Sequence, residues 1–158
     1  MTAADRLALA ACRRAVSERE PLARVQALWD AIEFLVAGYR APKLFAHTEL
    51  DALKAAIPAT ISTALRERAE KVISELNQPP LMARLRALIE DVGLPCSDAE
   101  VDLLVELRRI RNRAAHGRVA KPPAPDTLDY ATAIACRLVT AKLWAEARAG
   151  DVHPTHFR

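Results

Sequence analysis

The stretch SDAEVDLLVELRRIRNRAAHG, Ser97 to Gly117, decides how this chain folds and where its chemistry could sit. Ser97 followed three residues later by Glu100 is a capping box, in which hydroxyl and carboxylate satisfy free backbone N–H groups at a helix start. A helix is therefore expected to run from Ser97 toward Gly117. Laid out at about 100° per residue from Arg108, residues Leu103, Leu107, Ile110 and Ala114 fall between roughly 200° and 260° and form the expected core stripe. Leu104 lies at the border of that stripe, with Arg111 just inside the border, whereas Arg109 and Arg113 point away and are expected to be solvated. A continuous arc remains, running through Arg111, Ala115, Arg108, Asn112 and His116. One helix face thus offers two guanidinium groups, an amide and an imidazole around a small alanine.

Working outward, the rest of the chain also reads as helix. Of its 158 residues, 32 are Ala and 20 Leu, while Gly numbers 4 and aromatics are 4%, which favours helices and disfavours sandwiches and barrels. Thr2 to about Tyr39 reads as one bent helix or two, with Pro21 suited to a first turn. Leu22, Val25, Leu28, Trp29, Ile32, Leu35 and Val36 mark its core face. Thr48 can cap a second helix bearing Leu50, Leu53 and Ile57, which Pro58 interrupts or kinks. Ile61, Leu65, Val72, Ile73 and Leu76 then continue an amphipathic pattern whose outer face, Arg66 to Lys71, is a solvated charge mixture. A third helix follows Pro79-Pro80 and ends at Gly93, and after the fourth a proline-rich loop leads to a final helix over about 127–149. Ala131, Ile134, Ala135, Leu138 and Trp144 give that helix a stripe for close packing. The expectation is one all-α domain over residues 1–150, an antiparallel bundle of about five helices, followed by a flexible tail at 151–158.

Composition excludes several functional classes. No stretch reaches the roughly 18–20 uncharged apolar residues that span a bilayer, and the N-terminal residues lack signal-peptide order, so a soluble cytoplasmic protein without a membrane partner is expected. Cys12, Cys96 and Cys136 match neither a disulfide framework nor a zinc spacing and read as small core residues. Neither a carboxylate or Cys/His ligand cluster nor a phosphate-binding glycine loop is evident, so no metal or cofactor is expected. His47, His153 and His156 read as ordinary loop or tail residues. The net charge of +3 is unevenly spread. Residues 108–121 carry six basic side chains (Arg108, Arg109, Arg111, Arg113, Arg118 and Lys121) and no acid, against 17 basic and 20 acidic in the remainder.

The string from Leu104 to Gly117 resembles the signature of the HEPN superfamily, all-helical domains whose hallmark is Arg, a polar residue and, a few residues later, His near the end of a late helix. Here those positions are Arg111, Asn112 and His116. NQPPLMARLRALIEDVGL and RVQALWDAIEFLVAGY further resemble the Apea-like branch, and the likeness in helix order extends from about Arg24 to Ala149. A bare Arg-x4-His is expected about 0.5 times by chance in this composition, and Arg148 with His153 is such a decoy. Requiring Asn after the Arg and Gly after the His lowers the expectation to roughly 10⁻⁴.

The resemblance implies a metal-independent endoribonuclease, working at a cleft shared by two copies, in which the 2′-hydroxyl attacks the adjacent phosphorus. His116 is then the general acid or base, Arg111 the group that binds the phosphate and stabilises its extra charge, and Asn112 an orienting residue. Arg108, Arg109, Arg113, Arg118 and Lys121 would bind the RNA backbone. A toxin or defence role, with an antitoxin protein as partner, is a common family setting. Other readings stand beside this one. The domain could be a non-catalytic RNA- or nucleotide-binding module, or a dimerisation or regulatory domain. The fourth helix could instead read DNA, although the ten-residue loop after it departs from helix-turn-helix spacing. In purely structural terms, His116 could interact with the helix macrodipole and Arg111 could run along apolar surface to water.

Overall fold

A computed structural model describes residues 1–118 and 121–150; the tail expected at 151–158, with His153 and His156, lies outside the described residues. Seven helices follow in order: α1 (Ala3–Ser17), α2 (Pro21–Ala37), α3 (His47–Ala55), α4 (Thr63–Leu76), α5 (Leu81–Val92), α6 (Asp98–Ala115) and α7 (Pro125–Gly150). The fold is all-α. Five expected segments become seven because both interruptions are complete: Pro21 opens a new helix in its first turn, and Pro58 lies between α3 and α4. No helix among the described residues is long and apolar enough to cross a membrane.

The core is built around α2. Val25, Leu28, Trp29, Ile32, Leu35 and Val36 are all buried, together with Ala27 and Ala31. They meet Ala8, Ala11, Cys12 and Ala15 of α1, Leu85 and Leu88 of α5, Leu104 and Leu107 of α6, and Leu128 to Val139 of α7 in one continuous cluster. Small residues on α1 let it lie close along α2. A buried Lys142–Asp5 ion pair of 2.8 Å joins α7 to α1. Burial alone would raise the Asp5 carboxyl, but the Lys142 ammonium and the Thr2 cap outweigh it and hold Asp5 at about 2.

Two helices stand apart from this core. No residue of α3 or α4 is fully buried, and the two pack chiefly on each other. Their base is fastened by Asn77, whose side chain accepts from the Phe45 N–H at 2.7 Å and whose carbonyl accepts from the Leu44 N–H at 3.3 Å.

Several local expectations need correction. Helix α3 begins at His47, before Thr48, and its N-terminus is held by Glu49, which accepts from the Ala46 N–H at 2.8 Å. Trp144, expected in the packed stripe of α7, is 64% exposed beside Arg148, because it lies on a different face of the helix from the buried Leu138 and Lys142. Of the three free thiols only Cys12 is fully buried; Cys96 and Cys136 are half-buried.

Candidate functional site

Helix α6 carries the site, and both of its ends are fixed by the expected chemistry. At the start, the Ser97 hydroxyl accepts from the Glu100 N–H and the Glu100 carboxylate accepts from the Ser97 N–H at 2.8 Å. The same carboxylate accepts from Arg137 at 2.6 Å and Tyr130 at 2.9 Å, both on α7. The Arg137 guanidinium first, then the Ser97 N–H, hold Glu100 down at about 2. At the far end, Gly117 takes φ +65, Arg118 N–H donates to the Arg113 carbonyl at 2.9 Å and Gly117 N–H to that of Ala114 at 3.0 Å. This paired closure is a Schellman motif, and it places His116 at the C-cap, just past the last helical residue Ala115.

The helix is turned about a quarter turn from the expected orientation. Val101, Leu104 and Leu107 are buried, while Leu103, Ile110 and Ala114 are only partly covered. Arg111 consequently faces α2 rather than standing at the edge of the core stripe. Its Nε donates to Gln26 Oε1 at 3.0 Å, its Nη1 to Asn112 Oδ1 at 3.3 Å, and its Nη2 lies 3.4 Å from Glu33 Oε1. Gln26 in turn donates to Asp30 at 2.6 Å, and Asp30 pairs with Arg14 of α1. Arg111 is therefore held by Gln26 and Glu33 of the neighbouring helix rather than running along apolar surface to water.

Gln26 and Glu33 were not singled out from sequence. The signal for them is their spacing with Asp30: polar residues at i, i+4 and i+7 make a single stripe on a helix that beyond Arg24 is otherwise apolar. Such a stripe requires a polar partner, and Arg111 is that partner.

The remaining positions of the arc are open to different degrees. Arg108 and Asn112 are half-buried, and Ala115 and His116 are exposed. The other basic residues divide between faces. Arg109 is exposed and paired with Glu106 at 3.0 Å. Arg113 and Lys121 line a separate hollow of about 360 Å³ between α6 and the proline-rich loop, with Ile110, Pro122 and Pro123. Arg118 is exposed just beyond the helix. The six cations thus form a collar around the end of α6 rather than one strip.

Hydrogen-bond capacity defines what this end of the helix can hold. A guanidinium has five N–H donors, and two of those of Arg111 are engaged in hydrogen bonds, with Glu33 beside it as an ion-pair contact at 3.4 Å. The amide oxygen of Asn112 is directed to Arg111, which leaves the amide NH₂ for another acceptor. Among the described residues, neither the His116 imidazole nor the Arg108 guanidinium has a hydrogen-bonding or ion-pair partner, and no three His, Cys, Asp or Glu side chains converge. The surface is rich in donors and poor in acceptors, a balance that suits phosphate oxygens. No family model, curated protein or solved structure matches the chain.

Proposed function

We propose that the chain is a HEPN-type endoribonuclease that cleaves RNA by attack of the 2′-hydroxyl on the adjacent phosphorus, without a metal ion. The observation that carries this reading is the state of Arg111: it is fixed by Gln26, Asn112 and Glu33 yet retains N–H donors, five residues before an exposed imidazole on the same helix. A guanidinium held in one orientation gives its charge-assisted hydrogen bonds to a phosphate without first losing side-chain freedom. The exposed imidazole of His116 is the motif's proton-transfer group. It serves as general acid or base on the attacking or leaving oxygen. Asn112 donates to a phosphoryl oxygen, and Arg108, Arg109, Arg113, Arg118 and Lys121 steer the polyanion to the end of α6.

The reaction uses both an acid and a base, and each chain offers one imidazole in the motif. Two copies meeting across the Ala115 face supply the second. The working unit in this reading is a cytoplasmic homodimer acting on RNA, with a toxin or defence role and an antitoxin partner as its setting. The second reading, a non-catalytic RNA-binding or regulatory module, draws support from the same Glu33 contact, because a carboxylate on the guanidinium reduces the positive charge offered to a phosphate.

The test is incubation of the full chain with mixed RNA in excess EDTA, comparing wild type with Arg111→Ala and His116→Ala. Cleavage by the wild type that is lost in both variants is expected. Salt-sensitive RNA binding without cleavage supports the module instead, and sequence-selective duplex binding supports DNA recognition.

A further inference from the structure

Helix α4 presents an apolar seam that the fold leaves uncovered. The expected amphipathic pattern is present, but Leu65 is 53% exposed, Val72 47% and Leu76 61%. With Ala69, which is partly covered, these residues follow spacings of four, three and four, the d-a-d-a order of a coiled-coil seam over two heptads. The helix packs against α3 by a different side, about a quarter turn away, where Arg66, Glu70, Ile73 and Ser74 are partly covered and Arg66 donates to the Pro58 carbonyl at 3.0 Å. Scattered exposed leucines are ordinary on a protein surface, whereas three large apolar residues in register on one helix mark a docking face.

Charge along the solvated edge of the seam selects the occupant. Arg68 and Glu75 lie about two turns apart along that edge, on either side of Lys71, and Glu75 is 65% exposed, held only by a long 3.9 Å contact to Lys71. A twofold axis crossing the helix between Ala69 and Val72 sets Leu65 against the partner's Leu76 and Ala69 against the partner's Val72. The same operation brings Arg68 opposite the partner's Glu75 on both sides of the axis. A parallel arrangement would set Arg68 near the partner's Ile73 and would leave it without an acid.

We infer that α4 is an antiparallel self-association face, and that its occupant is α4 of a second copy of this chain. The interface is isologous and closed, as the self-complementary charge pattern requires. It lies on an element separate from α6, so it stands or falls independently of the ribonuclease reading. The seam is short, since a helix of 14 residues is about 21 Å long, and a dissociation constant of roughly 1–100 µM is expected.

Sedimentation of the full chain across that concentration range tests it. With Ala115→Arg present to remove any association across the α6 face, the chain is expected to shift from monomer to dimer, and addition of Val72→Glu, an exposed change that leaves the helical circular dichroism intact, to leave it monomeric. Arg68→Glu places like charges opposite one another twice per dimer and should weaken association about tenfold; adding Glu75→Arg should restore it. An Ala115→Arg chain that is monomeric throughout, a dimer of it that survives Val72→Glu, or an Arg68→Glu/Glu75→Arg pair that does not restore its association overturns the proposal.

Discussion

The two ends of α6 use polar groups in opposite ways. At the N-terminal end Glu100 is buried, and its carboxylate accepts from Ser97, Tyr130 and Arg137, so its lone pairs are committed to the fold. At the C-terminal end Arg111 is also held by three partners, but the groups around it, Asn112, Arg108 and His116, keep donors facing outward. A satisfied carboxylate joins helices. A cation fixed on one side and open on the other presents a binding surface, and that asymmetry is what separates the structural end of the helix from the functional one.

Substitutions at the two ends should therefore divide cleanly between activity and stability. The largest effect belongs to His116→Ala, which should lower RNA cleavage by about 10²–10⁴-fold in a single-turnover assay, while thermal unfolding shifts little because the side chain is exposed. Glu100→Gln should do the reverse. Losing the charged bonds to Arg137 and the cap should cost about 2–3 kcal/mol by denaturant titration, with cleavage per folded molecule unchanged. The pH dependence carries the same signature. Because folding lowers the Glu100 carboxyl from the usual 4.5 to about 2, its stabilisation is full above about 4.5 and is lost as pH falls through 2. Asp5 titrates in the same window, from 3.8 to about 2, so the Glu100 share is the difference between wild-type and Glu100→Gln stability curves.

Smaller changes sharpen the comparison at the open end. Glu33→Gln keeps a neutral acceptor near Arg111 but removes the ion pair, and should reduce cleavage about tenfold through looser positioning of the guanidinium. A rise in cleavage would instead identify Glu33 as an attenuating group. Gly117→Ala meets no neighbouring atoms, so its cost is the strain of φ +65 alone, about 1 kcal/mol by thermal unfolding.

Local chemistry was legible in the sequence, and orientation was not. The Ser97–Glu100 box, the first-turn Pro21 and the helix end at Gly93 are decided by the residues themselves, and they appear where the sequence puts them. The facing of α6 is decided elsewhere. Apolar residues cover much of that helix, from Val101 and Leu104 round to Ile110 and Ala114, so several rotations would bury a comparable stripe. The stripe of Gln26, Asp30 and Glu33 on α2 favours the rotation that brings Arg111 to it, a relation between segments 85 residues apart. What covers the apolar face of α4 was illegible for a related reason. Its periodicity correctly marks an amphipathic helix, but periodicity does not say whether the apolar face meets the same chain, and here Leu65, Val72 and Leu76 remain exposed.

The chemistry at the open end is tested most directly by the ends of the RNA fragments released in excess EDTA. Attack by the 2′-hydroxyl with proton transfer through His116 predicts fragments ending in 2′,3′-cyclic phosphate, formed by the wild type and absent with His116→Ala. Fragments ending in 3′-hydroxyl, or RNA left intact by the wild type, would contradict the account.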